Sequence, residues 1–446
     1  MGTLKFKWFR LPQIFHSLQL HTPRPSIPFT PSPAMASRAG RFLPCLEATE
    51  PERPPPALTS DLHEEIFLRV ASPSDLARAS AACVSFRRLI GDPPFLRRHR
   101  SIHPPLLLGF ISSAGFQPAE APHPSAAVAR AVARAADFSF DFVPRPTSSN
   151  HWHPCDARGG LVLVDCRRFT EADGKERLSL DLAVCDPLSR RYLLLPPMAD
   201  DLLASVELQN QDMFNSGASF VPSGGMEEET SFSVMCWMHS ETKLVVFFFS
   251  SGSDHWIVGT SATWDDLGLH EQVDSLGSCQ CAYGCFYWKV DYTNRLLKLH
   301  MGTMELCTYE LPPDHDDGDV VIVEAGEGQI AMFSQLGAGT SLEYYNLLQN
   351  GTDKSHEWHM KSTIPLPAQY TSECYIRGPA GGYIFLAGTP KEQDVGDQAF
   401  FSLEIKSFKI EMVSRKTFPF RYALPYFGFP PSMSPRRIQG YEVLQD

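Results

Sequence analysis

Gly284-Cys-Phe-Tyr-Trp288 is one of four stretches in which a glycine leads into a run of large apolar residues. The other three stretches are Gly160-Leu-Val-Leu-Val164, Gly328-Gln-Ile-Ala-Met-Phe333 and Gly382-Tyr-Ile-Phe-Leu386. The last three in the chain begin 44 and 54 residues apart, and a degenerate fifth, Ser233-Val-Met-Cys-Trp237, divides the long gap between the first two. A recurrence near 50 residues is typical of a repeat architecture.

Four of these units continue with an alternating, strand-like segment and then a further apolar run. The paired segments are Leu180–Pro187 with Arg191–Pro197, Arg295–His300 with Leu306–Pro313, Leu342–Leu347 with Glu357–Pro365, and Phe400–Ile405 with Phe408–Val413. About four strands per unit is what a β-propeller blade requires, because each blade is one twisted sheet covered by its neighbours. The pattern therefore predicts a propeller, of which five units are visible.

Two segments before the first unit, Leu106–Ile111 and Phe138–Phe142, can supply strands that close the ring. We therefore expect six blades, give or take one. Between these segments the Ala-rich stretch Ser125–Ala136 predicts one solvent-facing helix. The alternative is a pair of β-sandwiches with accidental spacing, which would show shorter and steadier turn spacing.

Residues 58–90 have a helical periodicity instead. A helix can begin at Thr59-Ser60-Asp61, whose side chains can accept the unpaired N–H groups of a first turn. One apolar stripe recurs every fourth residue: Leu62, Ile66 and Val70. A second start follows at Ser72-Pro73, and Gly91–Pro94 ends the segment. A unit this small cannot bury all its apolar side chains against itself, so part of its surface should meet a partner or the next domain.

Two patterns in this segment carry a family resemblance. Leu58-x-x-Asp-Leu-x-x-Glu-Ile-x-x-Arg69 is followed by Asp75-Leu-Ala-Arg-Ala-Ser-x-x-Cys-x-x-Phe-Arg-Arg-Leu-Ile90, and together they resemble an F-box over residues 57–100. The resemblance implies that the helices dock on the Skp-type adaptor of a cullin–RING ubiquitin ligase. It also implies that the rest of the chain selects the protein to be ubiquitinated.

Carried over position by position, the resemblance implies seven adaptor-facing residues: Leu58, Leu62, Ile66, Leu76, Cys83, Phe86 and Leu89. The chain departs from the family at Thr59, where proline is usual, and at Phe86, where tryptophan is frequent. Both departures leave the face apolar, so we expect a weaker adaptor interaction rather than none. The alternative is an ordinary helical hairpin that covers the second domain.

The large C-terminal region resembles the β-propellers that follow F-boxes in plant proteins. The stretch that carries this resemblance is Asp181-Leu-Ala-Val-Cys-Asp-Pro-Leu-Ser-Arg-Arg-Tyr-Leu-Leu-Leu-Pro-Pro197. The region is also weakly similar to kelch propellers, although it lacks regular double glycines in each unit. The expected fold is mainly β, with a small α-helical N-terminal module. The expected domains are a basic extension (1–46), the F-box (57–100), the propeller (104–430) and a tail (431–446).

Charge is distributed unevenly along the chain. Residues 1–46 hold six Lys or Arg and no acid, whereas the remaining 400 hold 33 basic and 51 acidic residues, a net charge of −18. An acidic body argues against nucleic-acid binding, which requires a high density of Lys and Arg. The arm has the composition of a transit peptide, but five prolines between Pro23 and Pro33 favour a disordered extension or an upstream start before Met35.

Eleven cysteines without regular spacing indicate reduced thiols, and hence a cytoplasmic or nuclear protein. Two clusters could suggest a metal site, Cys279-x-Cys281-x3-Cys285 and His151-x-His153-x-Cys155, but neither has a matching second ligand pair. We therefore expect no metal and no cofactor. The longest apolar run, Leu244–Phe249, has the length of a strand, so we expect no membrane span.

Catalytic motifs are missing from the sequence: it has no Gly-x-Ser-x-Gly elbow, phosphate-binding loop, zinc-binding His-Glu-x2-His or dinucleotide fingerprint. The acidic runs Asp314–Asp319 and Glu227–Glu229 are more typical of solvated loops than of paired catalysts. Five tryptophans could instead anchor a protein partner, or be buried blade residues: Trp152, Trp256, Trp264, Trp288 and Trp358.

Together these features lead to one functional hypothesis. The chain is expected to be a non-catalytic substrate receptor of an SCF-type ligase, binding the adaptor through its helices and an unknown target through its propeller. The alternative is a propeller-based enzyme or small-molecule binder unrelated to ubiquitin, with purely structural helices.

Overall fold

The computed structural model describes most of the chain between residues 58 and 428. The described ranges are 58–71, 73–103, 105–144, 151–172, 175–205, 215–222, 232–253, 255–270, 273–326, 328–336, 340–349, 356–370, 374–390, 398–416 and 423–428. The basic extension, the C-terminal tail, the acidic run Glu227–Glu229 and the prolines between Pro23 and Pro33 lie outside these ranges. The chain divides into two compact units, Met1–His63 and Glu64–Asp446, and residues 58–63 are the described part of the first.

Four short helices come first: α1 (Ser60–Leu68), α2 (Pro73–Ala82), α3 (Val84–Ile90) and α4 (Pro93–Ile102). The predicted start of α1 is confirmed, because the Thr59 hydroxyl accepts the N–H of Leu62 at 3.4 Å. The second helix begins at Pro73 as predicted. The fourth helix was not predicted. Gly91–Pro94 ends α3, but its prolines also occupy the first positions of α4, where a missing N–H costs nothing.

The rest of the described chain forms six antiparallel sheets, the blades of a six-bladed β-propeller. Blade 1 holds β3 (His153–Arg158), β4 (Leu161–Ala172), β5 (Lys175–Asp186) and β6 (Arg191–Leu194). Blade 2 holds β7 (Asn215–Val221), β8 (Ser233–His239), β9 (Lys243–Ser250) and β10 (Trp256–Thr263). Blade 3 holds β11 (Gln280–Ala282), β12 (Cys285–Val290), β13 (Arg295–His300) and β14 (Glu305–Glu310).

Blades 4 and 5 repeat this order. Blade 4 holds β15 (Asp319–Glu324), β16 (Ile330–Gln335), β17 (Ser341–Gln349) and β18 (His356–Pro365), and blade 5 holds β19 (Cys374–Ala380), β20 (Tyr383–Gly388), β21 (Gln398–Glu404) and β22 (Ile410–Lys416). The expectation of six blades is confirmed. Among the described residues, no helix is long and apolar enough to cross a membrane.

The glycine repeat marks the same place in four blades, the turn between the first and second strands. Gly160, Gly284, Gly328 and Gly382 adopt φ values of +78°, +68°, +76° and +84°. Positive φ is a conformation that L side chains rarely adopt, which explains why glycine recurs at these turns. The apolar run after each glycine is the second strand, buried on both faces between neighbouring blades.

Blade 6 closes the ring with strands from both ends of the described propeller. It holds β1 (Leu106–Ser112) and β2 (Gly115–Pro118) from the start and β23 (Leu424–Gly428) from the end, in the order β2-β1-β23. The prediction for β1 is confirmed, but the prediction of a strand over Phe138–Phe142 is wrong. That segment is a turn in which Phe140 has a φ of +58°, and its aromatic rings fill the core instead.

Tyr426 of β23 joins the last blade to the first. Its hydroxyl donates to the Gly160 carbonyl at 3.1 Å, and its ring meets Phe116 and Phe138 edge to face at 5.8 and 5.2 Å. The side chain is buried, so the hydrogen bond and the ring packing lie away from solvent. Tyr426 therefore links the closing strand both to the turn of blade 1 and to the aromatic core of blade 6.

Among the described residues, two α-helices, α5 (Ala126–Ala135) and α6 (Asp200–Ser205), and one 3₁₀ turn (Ala368–Tyr370) accompany the sheets. The predicted helix at α5 is confirmed, although one face is covered rather than solvated. Ala129 is fully buried in the core of blade 6, and the hydroxyl of Ser125 donates to the Leu107 carbonyl at 2.5 Å.

Two substitutions of Tyr426 distinguish the contribution of its ring packing to stability from that of its hydrogen bond. We expect Tyr426→Ala to lower the free energy of unfolding by about 3–5 kcal/mol, as for other large buried aromatics. Tyr426→Phe, which keeps the ring but loses one hydrogen bond, should cost about 0.5–1.5 kcal/mol. Denaturant titration followed by tryptophan fluorescence measures both values, with Tyr292→Phe, at a side chain that is 73% exposed, as the reference for a surface change. Equal losses for the two Tyr426 variants would contradict this account.

Candidate functional site

The first candidate site is an apolar surface on the N-terminal helices. Leu62 and Ile66 lie one turn apart on α1 and are 50% and 47% exposed, and Leu58, just before the helix, is 52% exposed. The next residues of the same helix, Phe67 and Leu68, are buried. This nine-residue helix is therefore apolar on a buried face and also on an exposed face. Part of its apolar surface is not covered by the helical core.

Two histidines hold the C-terminal end of α1 against α4. The Nε2–H of His99 donates to the Val70 carbonyl at 2.9 Å, and that of His103 donates to the Leu68 carbonyl at 2.7 Å. These carbonyls follow the last turn of α1, where a helix leaves its acceptors unpaired. Arg98 of α4 adds ion pairs with Glu64 at 2.5 Å and with Glu65 at 2.9 Å. The part of α1 from Glu64 onward is therefore held by α4, the helix that the sequence did not predict.

A separate small core lies inside these helices. Leu76, Ile90 and Phe95 are essentially fully buried and pack with Phe67, Leu68 and Leu96. The placement of Leu76 corrects one expectation, because a side chain with no exposed surface cannot contact an adaptor. The sequence offers one indication that Leu76 is buried: it lies one turn before Ala79 and Ser80, on the face that packs inward.

The remaining residues of the adaptor-facing set lie around α3. Cys83 is exposed and caps α3, its sulfur accepting the N–H of Phe86 at 3.5 Å. Phe86 and Leu89 are half-buried, and the Phe86 ring meets Phe67 edge to face at 4.9 Å. Val84, which sequence reasoning missed, is the most exposed aliphatic residue of these helices. Phe86 thus supports the small core and offers only part of its ring to a partner.

The exposed thiol of Cys83 differs electrostatically from the other described cysteines with a shifted pKa. Hydrogen bonds from Ser85 and from the backbone of Phe86 lower the pKa of the Cys83 thiol. Burial instead raises the pKa of the thiols of the propeller, among them Cys155, Cys236 and Cys279. These buried thiols behave as small apolar side chains.

The two cysteine and histidine clusters do not come together as metal sites. Cys279 and Cys281 pack against the core between blades 2 and 3, whereas Cys285 lies in the core between blades 3 and 4. In the other cluster the Cys155 thiol donates to the Leu163 carbonyl, and His153 is exposed. Within the described ranges, no group of three or more His, Cys, Asp or Glu could hold a metal ion.

The tryptophans favour the structural interpretation over the partner anchor. Trp152, Trp256, Trp264 and Trp288 are buried, and Trp358 is half-buried. The indole N–H of Trp152 donates to the Pro144 carbonyl at 3.2 Å, and those of three more of the five tryptophans donate to carbonyls in neighbouring segments. These bonds run from Trp256 to Pro196 at 2.8 Å, from Trp264 to Ser240 at 3.0 Å and from Trp358 to Glu310 at 3.1 Å. The first and third of them join the outer strand of one blade to the end of the preceding blade.

Polar side chains of the innermost strands also join one blade to the next. Asp156 of β3 accepts the hydroxyl of Ser219 and the N–H of Phe220 in β7, both at 2.8 Å. Gln280 of β11 donates to the Val320 carbonyl of β15 at 2.8 Å and accepts the N–H of Ile322. These carboxylate and amide groups are hydrogen-bonded to the next blade and so hold neighbouring blades together.

Comparisons with known proteins place the chain in no family. No family model matches the sequence, and no curated protein matches it. Among solved structures, a putative 6-phosphogluconolactonase from Bacteroides fragilis is 10% identical, with a TM-score of 0.32 over 59% of this chain and 70% of that one. A post-proline cleaving enzyme from Rickettsia typhi is also 10% identical, with a TM-score of 0.30 over 58% of this chain and 39% of that one.

A lectin from Aleuria aurantia, solved with α-methyl-L-fucoside, is 11% identical, with a TM-score of 0.32 over 61% of this chain and 92% of that one. At these TM-scores the likenesses carry no argument about function. The six-bladed propeller is established by the strand order and pairing of the chain itself.

The small helical core makes a distinct prediction about stability. Leu76→Ala should cost the helices about 2–5 kcal/mol, because it leaves a cavity among Phe67, Ile90 and Phe95. Ile66→Ala should change their stability by less than about 0.5 kcal/mol, because its side chain contributes mainly to the surface. Hydrogen–deuterium exchange over residues 60–102 measures both. Similar protection losses in the two variants would show that Ile66 belongs to the core.

A buried histidine in blade 2 leads to a prediction about the effect of acid on the propeller. His239 is fully buried with its ring edge to face against Trp264 at 5.8 Å, and burial lowers its pKa. Because the unfolded chain then binds the proton more readily, stability is present above the ordinary histidine pKa of about 6.5 and falls as the pH drops below it. The slope contributed by one such group is at most about 1.4 kcal/mol per pH unit.

We therefore expect His239→Phe to reduce the loss of unfolding free energy between neutral and mildly acidic pH. Denaturant titrations at both pH values measure this difference against the parent chain. Phe247→Leu, a change in a neighbouring buried strand without a titrating group, should lower stability equally at both values. An unchanged pH dependence in His239→Phe would show that the acid sensitivity arises elsewhere.

Proposed function

We propose that this chain is the substrate-recognition subunit of an SCF-type cullin–RING ubiquitin ligase. In this proposal the helices around α1 dock on a Skp-type adaptor, and the propeller binds the protein to be ubiquitinated. The chain itself then supplies binding surfaces, while other subunits supply the chemistry. The proposal also includes membership of the plant F-box proteins with an associated propeller, and a place of action in the cytoplasm or nucleus.

The observation that carries this proposal is the exposed apolar stripe of α1. Leu62 and Ile66 are each about half exposed, although the same helix already buries Phe67 and Leu68 in a closed core. Exposing aliphatic side chains in this way forgoes on the order of 25 cal/mol per Å² of apolar surface. A partner that covers the stripe would recover this free energy, as expected for a helix that serves as an interface.

We propose a narrower set of adaptor-contacting residues, chosen by the exposure of their side chains. Residues with exposed side chains stay in the proposed surface: Leu58, Leu62, Ile66, Cys83 and the newly included Val84. Phe86 and Leu89 contribute partly exposed edges, and Leu76 supports the surface from inside. Removing Phe86 or Leu76 would disturb the core, so neither residue is suitable for testing the interface.

The test substitutes the stripe and leaves the core intact. Full-length chain with Leu62→Asp and Ile66→Asp is co-expressed with a Skp-type adaptor, and adaptor recovery is measured by affinity purification. We expect recovery to fall at least about tenfold, because burying two carboxylates at an apolar interface is strongly unfavourable. The matched control carries Val128→Asp and Ile257→Asp, two aliphatic residues of the propeller that are 44% and 51% exposed.

The control should retain the adaptor at the level of the parent chain. Hydrogen–deuterium exchange over residues 60–102 should be the same in all three proteins, which separates loss of the interface from loss of the fold. The proposal is overturned if the parent chain recovers no adaptor, or if the stripe variant and the control recover it equally.

A further inference from the structure

Tyr292 is the most exposed large hydrophobic side chain that the structure describes, at 73%. It lies in the turn between β12 and β13 of blade 3 and has a φ of +59°. A bulky side chain in the left-handed region is unfavourable and persists only where the surrounding structure enforces it. Such outliers cluster at binding sites, so the position points to a role for the exposed ring.

Both ends of this turn are tied to the loops that enter and leave blade 3. The hydroxyl of Ser275 donates to the Asp291 carboxylate at 2.5 Å, and the N–H of Asp291 donates to the Ser275 carbonyl at 3.2 Å. On the other side, the backbone N–H of His315 donates to the Asn294 side chain at 2.8 Å. The turn is therefore preorganised, and a partner that packs on Tyr292 would lose little conformational entropy.

The charge around this ring is negative. Four carboxylates lie in the turn and in the loop that leads into blade 4: Asp291, Asp316, Asp317 and Asp319. The nearest lysine, Lys289, is buried, and its ammonium donates to the Asp316 carbonyl at 2.6 Å. Arg295 lies directly opposite Glu310 in the neighbouring strand. Lys289 interacts with all four carboxylates and Arg377 with Asp319, so four negative and two positive charges leave a net charge of −2. Asp316 and Asp317 are exposed.

A second exposed tyrosine lies beyond these carboxylates. Asp319 begins the innermost strand of blade 4 and accepts the backbone N–H of Ile376 in blade 5. The preceding residue, Tyr375, is exposed, and the guanidinium of Arg377 lies 5.7 Å from its ring centroid. Tyr292, the four carboxylates and Tyr375 form what we call the Tyr292 surface, which extends from blade 3 to blade 5.

We propose that the Tyr292 surface docks a segment of the target protein that carries Lys or Arg beside an apolar or aromatic side chain. The tyrosine rings supply rigid contact area, and the carboxylates select positive charge and disfavour acidic segments. This inference rests on the proposed function in that it names the chemistry of the target. The surface itself lies in the propeller and involves none of the helices.

The test selects peptides on the full-length protein from a phage-displayed library of random dodecapeptides. A fluorescein-labelled copy of the most enriched peptide is then titrated by fluorescence anisotropy. We expect the peptide to be basic and to contain an apolar or aromatic residue. Its affinity should fall as the salt concentration rises, because exposed charges are screened.

Two variants then examine the ring and the charges separately. Tyr292→Gly removes the ring and also relieves the positive φ, so the protein should remain folded while its affinity falls about tenfold. Asp316→Asn with Asp317→Asn should weaken binding by a similar factor. The matched control, Asp200→Asn with Asp201→Asn in α6, makes the same change in net charge at another exposed site and should not affect binding.

The proposal is overturned if no peptide is enriched, if the enriched peptides are acidic or uncharged, or if both variants bind as tightly as the control. These results are independent of adaptor recovery. Peptide binding without adaptor binding would refute the ligase assignment and leave the docking surface in place. Adaptor binding without peptide binding would refute the docking surface and leave the ligase assignment in place.

Discussion

The propeller depends on the pairing of β1 with β23, because this pairing joins the two ends of the described propeller in one sheet. Leu107 lies opposite Phe427 and Ile111 lies opposite Leu424, although more than 300 residues separate the two strands. Without this pairing, blade 6 would lose its innermost strand, and the apolar faces of blades 5 and 1 would meet solvent. Ring closure thus lets every blade, including the composite blade 6, pack against a neighbour on both faces.

Within the closed ring, apolar burial and directed hydrogen bonds have different roles. The side chains of consecutive blades fill a common core at each interface, and this burial is not directional. Asp156 and Gln280 add directional bonds between innermost strands, and Trp256 and Trp358 add them at the outer edge. Such bonds set the position of each blade relative to the next, because an unpaired buried polar group would be costly.

The helices near the start of the described chain have a small core and an exposed apolar face. Their core of six buried side chains is small, and the bonds from His99 and His103 fix the end of α1. Apolar side chains remain on the outside of the same helix. The propeller, by contrast, fills its blade interfaces with apolar side chains and presents Tyr292 on a strained, well-anchored turn. The two regions therefore offer different kinds of surface, aliphatic on α1 and aromatic with carboxylates on blades 3 to 5.

Sequence patterns predicted five of the six blades, because local rules suffice for them. A glycine at the first turn of four blades indicates a positive φ, and the apolar run that follows indicates a strand covered on both faces. The sequence also predicted the capped start of α1, since Thr59 and the stripe after it are neighbours along the chain. These features depend on residues a few positions apart, where sequence periodicity is informative.

The tertiary structure alone decided the features that depend on distant residues. The sequence did not show that β23 completes blade 6, that Phe138–Phe142 supplies core rings instead of a strand, or that Leu76 faces inward. Nor did the sequence show whether the tryptophans are surface anchors or buried blade residues, because an indole side chain suits both roles equally. Tyr292 and its carboxylates come together only because a turn of blade 3 and the first strands of blades 4 and 5 meet at one end of the ring. Burial and proximity are properties of the folded chain, and periodicity along the sequence does not report them.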